Sequence, residues 1–180
     1  MRFGAYSEEV IANIDDLKIF PRNFSYEEAA GFSVAAQTAY VSLVERANIL
    51  EEQTVLILGA TGGVGLAAIQ LANAIGAKVI AVCSTKKKQK AAIKAGAKYA
   101  LGYENMINEV KEITHKKGVD IIYDPIGGEY FLNALKTIKW GGKVLIIGFA
   151  SGSIPSLPIN IPLIKGISVL GVRAGEYFRK

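Results

Sequence analysis

The stretch TVLILGATGGVGLAAIQLANAIG, residues 54–76, decides the fold. Its β-branched and leucine run, Thr54-Val55-Leu56-Ile57-Leu58, predicts a buried strand. The strand meets a turn carrying Gly59, Gly62, Gly63 and Gly65, and an uncharged helix pattern follows at once. Strand, glycine turn and helix in that order open a dinucleotide-binding βαβ unit. Aligned on G-x-G-x-x-G, the turn reads Ala60-Thr61-Gly62-Gly63-Val64-Gly65, with Ala60 in place of the first glycine and Gly59 beside it. Gly62 lets backbone approach a pyrophosphate with no Cβ in the way, and Gly65 lets the helix pack close to the strand. Amides near Gly63 and Val64, at the helix N-terminus, face the anion and add the helix dipole.

Outward from this turn the period is regular. A helix over Gly63–Ile75 leads to strand Lys78–Val82, helix Lys86–Ala95, strand Tyr99–Leu101 and helix Asn105–Lys116. Strand Val119–Tyr123, helix Glu129–Ile138 and strand Lys143–Ile147 follow. A Gly/Ser/Pro loop, Ser151–Pro162, then leads to a last strand, Ile167–Val172. Strands alternating with helices across short turns predict an α/β Rossmann fold, a doubly wound, six-stranded parallel sheet in the order 3-2-1-4-5-6. Upstream, Ser25-Tyr26-Glu27-Glu28 is a capping box. The helix it opens is expected to run to about Val44–Asn48, bent or interrupted near Gly31. Its middle, Ala29–Val44, carries no charge and is expected to be buried. Residues 1–24 read as extended, broken at Phe20-Pro21.

A chain of 180 residues with 51% hydrophobic content is long enough for a sizeable core and suits a sheet covered on both faces. Two long uncharged runs, Thr54–Ala77 with five glycines and Val144–Ile164 with three prolines, read as buried elements rather than membrane spans. The opening MRFGAYSEEV has no apolar core of a secretory signal, and the single Cys83 cannot form an internal disulfide. Both point to the cytoplasm. One cysteine and one histidine, His115, cannot build a metal cage. The net charge of +5 is spread apart from Lys86-Lys87-Lys88, which argues against nucleic acid as the main partner.

The second strand bears on which dinucleotide fits. NAD sites place a carboxylate on the ribose hydroxyls at the end of that strand. Here it ends Ala81-Val82-Cys83-Ser84-Thr85, and no acidic residue occurs between Glu52 and Glu104. Two hydroxyls and Lys86, Lys87, Lys88 and Lys90 stand there instead. Hydroxyl and ammonium groups bind a 2′-phosphate that a carboxylate would repel, so the expected cofactor is NADP(H). Lysines at a helix N-terminus oppose its dipole, a cost that an anion offsets.

The chain resembles the zinc-independent quinone oxidoreductase (zeta-crystallin-like) branch of the medium-chain dehydrogenase/reductase superfamily. The matching residues are Ser25–Gly31, Thr38-Ala39-Tyr40, Gly59–Leu66 (GATGGVGL), Gly76–Ile80 (GAKVI) and Lys94–Ala97 (KAGA). They continue through Gly118–Asp120, Asp124–Gly128 (DPIGG), Gly148–Gly152 (GFASG) and Ile154-Pro155. The resemblance implies an NADPH-dependent enzyme of two domains that reduces quinones or activated alkenes by hydride transfer. By position, it places Thr38, Gly148 and Phe149 at the nicotinamide end and Ala60, Gly62, Gly63 and Val64 around the pyrophosphate. Ser84 and Lys88 fall at the 2′-phosphate, Tyr103 beside the adenosine phosphate, and Ile126 and Gly127 beside the adenine ribose.

Members of that branch are about twice this length, with a GroES-like catalytic domain ahead of the nucleotide domain. Residues 1–24 are expected to be a remnant of that domain, and residues 25–180 the NADP(H)-binding domain. Two other functions fit the residues: the enoyl-reductase segment of a polyketide or fatty-acid synthase, and a non-enzymatic NADPH- or RNA-binding protein using Lys86–Lys90. Asp124, in its Asp-Pro-x-Gly-Gly setting, is expected to make a turn before it touches any ligand. His115 is expected at the solvated surface, and Arg173 is a candidate for substrate or a phosphate. An apolar edge at Ile167–Val172 is an aggregation hazard if unpaired, and the resemblance implies a homodimer through it.

Overall fold

The structure, a computed structural model, describes residues 6–17 and 19–177. The extension expected over residues 1–24 lies outside the described residues at 1–5 and at Lys18. Contacts between Cα atoms divide the chain into Met1–Phe32 and Ser33–Lys180.

In the first unit, a 3₁₀ turn at Ile14–Asp16 interrupts the expected extension, held at its start by the Asn13 side chain, which accepts from the Asp15 amide. The capping box forms as the sequence predicts. Ser25 Oγ accepts from the Glu28 amide at 3.2 Å, and Glu28 Oε2 accepts from the Ser25 amide at 2.8 Å. Phe24 meets Phe32, and Phe20 meets Tyr26, edge to face.

The second unit holds a six-stranded parallel sheet. Its strands are β1 (Thr54–Ile57), β2 (Lys78–Val82), β3 (Tyr99–Leu101), β4 (Val119–Asp124), β5 (Ile138–Ile146) and β6 (Ser168–Gly171). Their order, β3-β2-β1-β4-β5-β6, is the predicted one. Between them run α2 (Gly63–Ile75), α3 (Lys86–Lys94), α4 (Met106–Ile113), α5 (Gly128–Leu135) and α6 (Asn160–Lys165), and α7 (Ala174–Tyr177) follows β6. Successive strand side chains face opposite sides and build two cores. One joins Val55, Ile57, Val79 and Ala81 to Ala68, Ile69 and Ala72 of α2 and Ala92 of α3. The other joins Leu56, Leu58, Ile80 and Val82 to Val110 of α4 and Phe131 and Leu135 of α5. None of the described helices is long and apolar enough to cross a membrane.

Several expectations are corrected. The first helix, α1 (Tyr26–Tyr40), is continuous through Gly31; its irregularity is a π-helical turn at Val41–Arg46. Two hydroxyls four residues apart, one just before the turn and one within it, bond back to carbonyls of α1, Thr38 to Val34 and Ser42 to Thr38. Such back-bonding competes with the helical ladder and bends it. Nor is the uncharged run Ala29–Val44 buried throughout: Ala39, Val41, Ser42 and Leu43 are buried, while Phe32, Val34 and Tyr40 are exposed. Lack of charge permits burial but supplies no partner for the outer face.

Helix α4 starts after Asn105 and ends at Ile113, because His115 and Lys116 take left-handed backbone. Helix α5 stops at Leu135, and Ile138 begins β5 instead of ending the helix. There Val119 pairs with Ile138 and Ile121 with Lys143, so residues 139–142 bulge out of the ladder. The Trp140-Gly141-Gly142 sequence hides the strand's first half by reading as a turn. The expected loop Ser151–Pro162 gives way at Asn160 to α6, whose first turn tolerates Pro162 because its missing N–H would have no helical acceptor there. Helix α7, after the last strand, was not anticipated.

Candidate functional site

The carboxyl ends of β1, β2, β4 and β5 bring most of the candidate residues to one edge of the sheet, where the strand order reverses between β1 and β4. Open α/β sheets bind ligands at such a switch point.

At the end of β1, Gly59 takes positive φ (55°). A Cβ there would lie 2.6 Å from Ile126 Cδ1. Gly59, not the aligned Ala60 position, is therefore the glycine that makes the tight turn. Ala60 is fully buried, with its amide donating to Val82 O at 3.2 Å. The signal for this was present, since the β-branched run ends directly on Gly59. A Cβ on Gly65 would sit 2.6 Å from Gly59 O and 2.8 Å from Ala60 Cα, so close packing of helix on strand requires glycine. Gly62 is the N-cap of α2 and supplies no side-chain bond, and Gly63 has open space where a Cβ would stand. The first-turn amides of α2, at Gly63 and Val64, precede the helical ladder, whose first bond runs from Leu66 N to Gly62 O at 2.9 Å. They form an uncapped positive end suited to an anion.

The turn is braced from beside β3 and β4. Tyr103 Oη accepts from the Gly59 amide at 2.9 Å, and its ring packs on Tyr130 with centroids 4.4 Å apart. Burial pushes its phenol pKa up. Its hydroxyl oxygen braces the turn at Gly59. At the end of β4, Asp124 is 1% exposed, and its Oδ1 accepts from the amides of Ile126 (2.7 Å) and Gly127 (2.9 Å). This is the expected turn-making role. Burial pushes its carboxyl up, more than the two amide bonds pull it down. The loop after β5 is strapped to this turn: Ala150 N donates to Pro125 O, Ser151 N to Ile126 O and Gly128 N to Ser153 O, each at 3.0 Å. That places Phe149 against Gly127, with Gly148 beside Pro125.

At the end of β2, Lys88 Nζ donates to Ser84 Oγ at 3.2 Å, and Thr85 caps α3 by accepting from the Lys88 amide. The first turn of α3 is Lys86-Lys87-Lys88 with no acidic residue. Hydroxyl and ammonium groups thus converge at the end of β2. Thr38 lies back on α1, and its hydroxyl donates to Val34 O at 2.7 Å. His115 is exposed at the end of α4, away from this edge. Arg173 Nε pairs with Glu176 at 3.2 Å rather than with any candidate residue. Cys83 is buried beneath the turn, and that burial pushes its thiol up against the opposing pull of the Thr61 hydroxyl. Among the described residues, no three His, Cys, Asp or Glu side chains cluster as metal ligands.

Known proteins with similar chains bear on this geometry. A family described as zinc-binding dehydrogenase matches residues 63–180. The quinone oxidoreductase-like protein 2 homolog of Nematostella vectensis is 38% identical over 97% of this chain and 48% of its own length. The crystal structure of Escherichia coli quinone oxidoreductase complexed with NADPH superposes with a TM-score of 0.81 at 30% identity, covering 91% of this chain and 51% of that one. The CurK enoyl reductase structure gives 0.78 at 26% identity over 89% of this chain and 48% of that one. The chain spans about half the length of the curated relatives it matches.

Proposed function

This chain belongs to the zinc-binding dehydrogenase family, as a nucleotide-binding domain of the quinone oxidoreductase branch of the medium-chain dehydrogenase/reductase superfamily, and from that membership we propose that it holds NADPH for the reduction of a quinone or an activated alkene. The observation that carries the reading is the pairing of an uncapped, glycine-lined helix start at α2 with the Ser84–Lys88 pair at the end of β2. The bound cofactor would supply a hydride from its reduced nicotinamide.

The residues divide the work. Gly62, Gly63 and Val64 hold the pyrophosphate through backbone amides. Ser84 and Lys88 hold the 2′-phosphate. Tyr103, Ile126 and Gly127 wall the adenosine side, and Ala60 fixes the turn beneath. Thr38, Gly148 and Phe149 face the nicotinamide. Thr38 directs its proton to Val34 O, so its hydroxyl meets a ligand as an acceptor, which suits a carboxamide N–H. Half-exposed Phe149 offers an apolar wall that would exclude water from the ring.

We read residues 1–24 as the remnant of a GroES-like catalytic domain and residues 25–180 as the NADP(H) domain. Within this chain, the single histidine is exposed and the single cysteine is buried under the turn, so the reading assigns no zinc to these residues. The β6 edge, residues 167–172, is assigned to pairing with a second copy, and the protein to the cytoplasm. The CurK likeness supports an enoyl-reductase segment as the second reading.

Lys88→Glu tests the phosphate assignment. It should weaken NADPH roughly tenfold or more in a fluorescence titration, the scale of one charged hydrogen bond, and barely change NADH. Equal losses for both would remove Lys88 from the 2′-phosphate.

A further inference from the structure

Lys143 stands within β5, where the strand pattern calls for a core side chain. Its ladder partner Ile121, and Leu145 two residues on, belong to the core that also holds Leu43 and Ala47. Side chains two apart along a strand share a face, so Lys143 is directed at that same core. It is half-buried, and it takes part in none of the ion pairs among the described residues. Its Nζ donates instead to the carbonyl of Ala47, 96 residues back in the chain, at 2.6 Å. Ala47 is fully buried and ends the π-helical turn, where the last carbonyls of a helix have no helical donor. A lysine in a core strand breaks the local pattern, and such breaks gather at functional sites.

From Ala47 the bonds continue to the candidate site. The Ala47 amide donates to Ser42 O at 2.9 Å, the Ser42 hydroxyl donates to Thr38 O, and the Thr38 hydroxyl donates to Val34 O at 2.7 Å. Each link has its own donor and its own acceptor, and Ser42 is as fully buried as Ala47. We propose that Lys143 is a positioning residue: it fixes the end of this helix on the sheet and, through Ala47 and Ser42, the place of Thr38 at the nicotinamide. The proposal rests on the reading of Thr38 as a cofactor residue. The π-helical turn at Val41–Arg46 makes the path short, because its wider ladder bonds the anchored Ala47 directly to Ser42, five residues back. Turns of this kind recur at functional sites. A hydroxyl that accepts from a carboxamide N–H must be held to within about 0.5 Å, and an anchor to the sheet supplies that constraint.

Two probes separate positioning from mere support: NADPH, and 2′-phospho-ADP-ribose, which keeps the phosphates and lacks the nicotinamide. The unmodified 180-residue chain should bind NADPH more tightly than the fragment, and Thr38→Ala should remove much of that difference. Lys143→Met keeps the length of the side chain and removes the ammonium. It should lower NADPH affinity about threefold to tenfold, the scale of one hydrogen bond, and fragment affinity by less than about twofold. A lysine that only supports the fold would lower both alike, or neither. Ser42→Ala, which cuts the path between Ala47 and Thr38 and leaves β5 untouched, should reproduce the split. In a double-mutant cycle, adding Lys143→Met to Thr38→Ala should cost little more than Thr38→Ala alone. Equal losses for the two probes, no loss for either, or additive losses in the cycle would overturn the proposal and leave the cofactor reading standing. A Thr38→Ala variant that binds NADPH as the unmodified chain does would overturn the reading of Thr38 and the proposal with it. An unmodified chain that binds neither probe would overturn both.

Discussion

The two uncharged runs, Thr54–Ala77 and Val144–Ile164, are alike in composition and opposite in fate. In the first, Leu56, Ile57, Leu58, Ala60, Ala68, Ile69 and Ala72 are wholly inaccessible. The second begins the same way, with Val144 and Leu145 wholly buried in β5. It then leaves Ile154, Ile159, Leu163 and Ile164 at 73%, 83%, 82% and 70% exposure. The difference is periodicity and partners. Gly59 and Gly65 fold the first run back on itself, so strand and helix bury each other. In the second, Gly148, Gly152 and three prolines lead the chain out of the sheet, so that Leu157 and Ile161 still pack on the core while Ile154, Ile159, Leu163 and Ile164 do not. Apolar composition sets what can be buried, and turn chemistry sets what is.

The largest break of this comparison should come from Gly65→Val. Its Cβ would sit 2.6 Å from Gly59 O, so α2 must leave the strand. The expected cost is about 3 kcal/mol, at the upper end for overpacking, with cofactor affinity lost as the amides of Gly63 and Val64 move. Urea denaturation and titration check it, and an unchanged midpoint would show that the close packing is not needed.

Asp124 gives a smaller effect with a definite sign. Its folded-state pKa lies above the unfolded value of about 3.9, so the folded chain binds that proton more tightly. Its contribution to stability then falls as pH rises from that value through the raised one. Asp124→Asn keeps the acceptor for the Ile126 and Gly127 amides and should flatten this slope at little cost. Asp124→Ala loses both bonds and should cost about 2 kcal/mol. Urea melts between pH 4 and 7 distinguish them; a matching loss in the asparagine variant would mean the charge itself holds the turn.

The smallest effect belongs to the second run. Leu163→Ser should change the stability of a dilute monomer by no more than about 0.5 kcal/mol, the usual range for exposed sites. A loss near that of a core leucine would mean the surface is covered.

The same contrast explains what the sequence could disclose. The element order, the strand order and the capping box were legible because each rests on a local pattern: β-branched runs, glycine stops, and Ser25 three residues before Glu28. The ends of α4 and α5 were not. His115 and Lys116 adopt left-handed backbone with ordinary side chains, and the start of β5 shows only in its pairing with Val119. The glycine-rich turn was legible; that Gly59, beside the aligned Ala60, makes the tight bend shows only in its backbone and in Ile126 behind it. Of the candidate site, the hydroxyl and ammonium groups of Ser84 and Lys88 were legible beside the missing carboxylate, and the structure brings the two together. The bond from the Gly59 amide to the Tyr103 hydroxyl was not legible, because it joins residues 44 apart in the chain.

The central claim is that the end of β2 selects a 2′-phosphate. Fluorescence titration of the unmodified chain with NADPH and with NADH tests it most directly. NADPH should bind roughly tenfold tighter or more, the effect of adding a phosphate to a hydroxyl and an ammonium already in place. Equal affinity for the two would contradict the account.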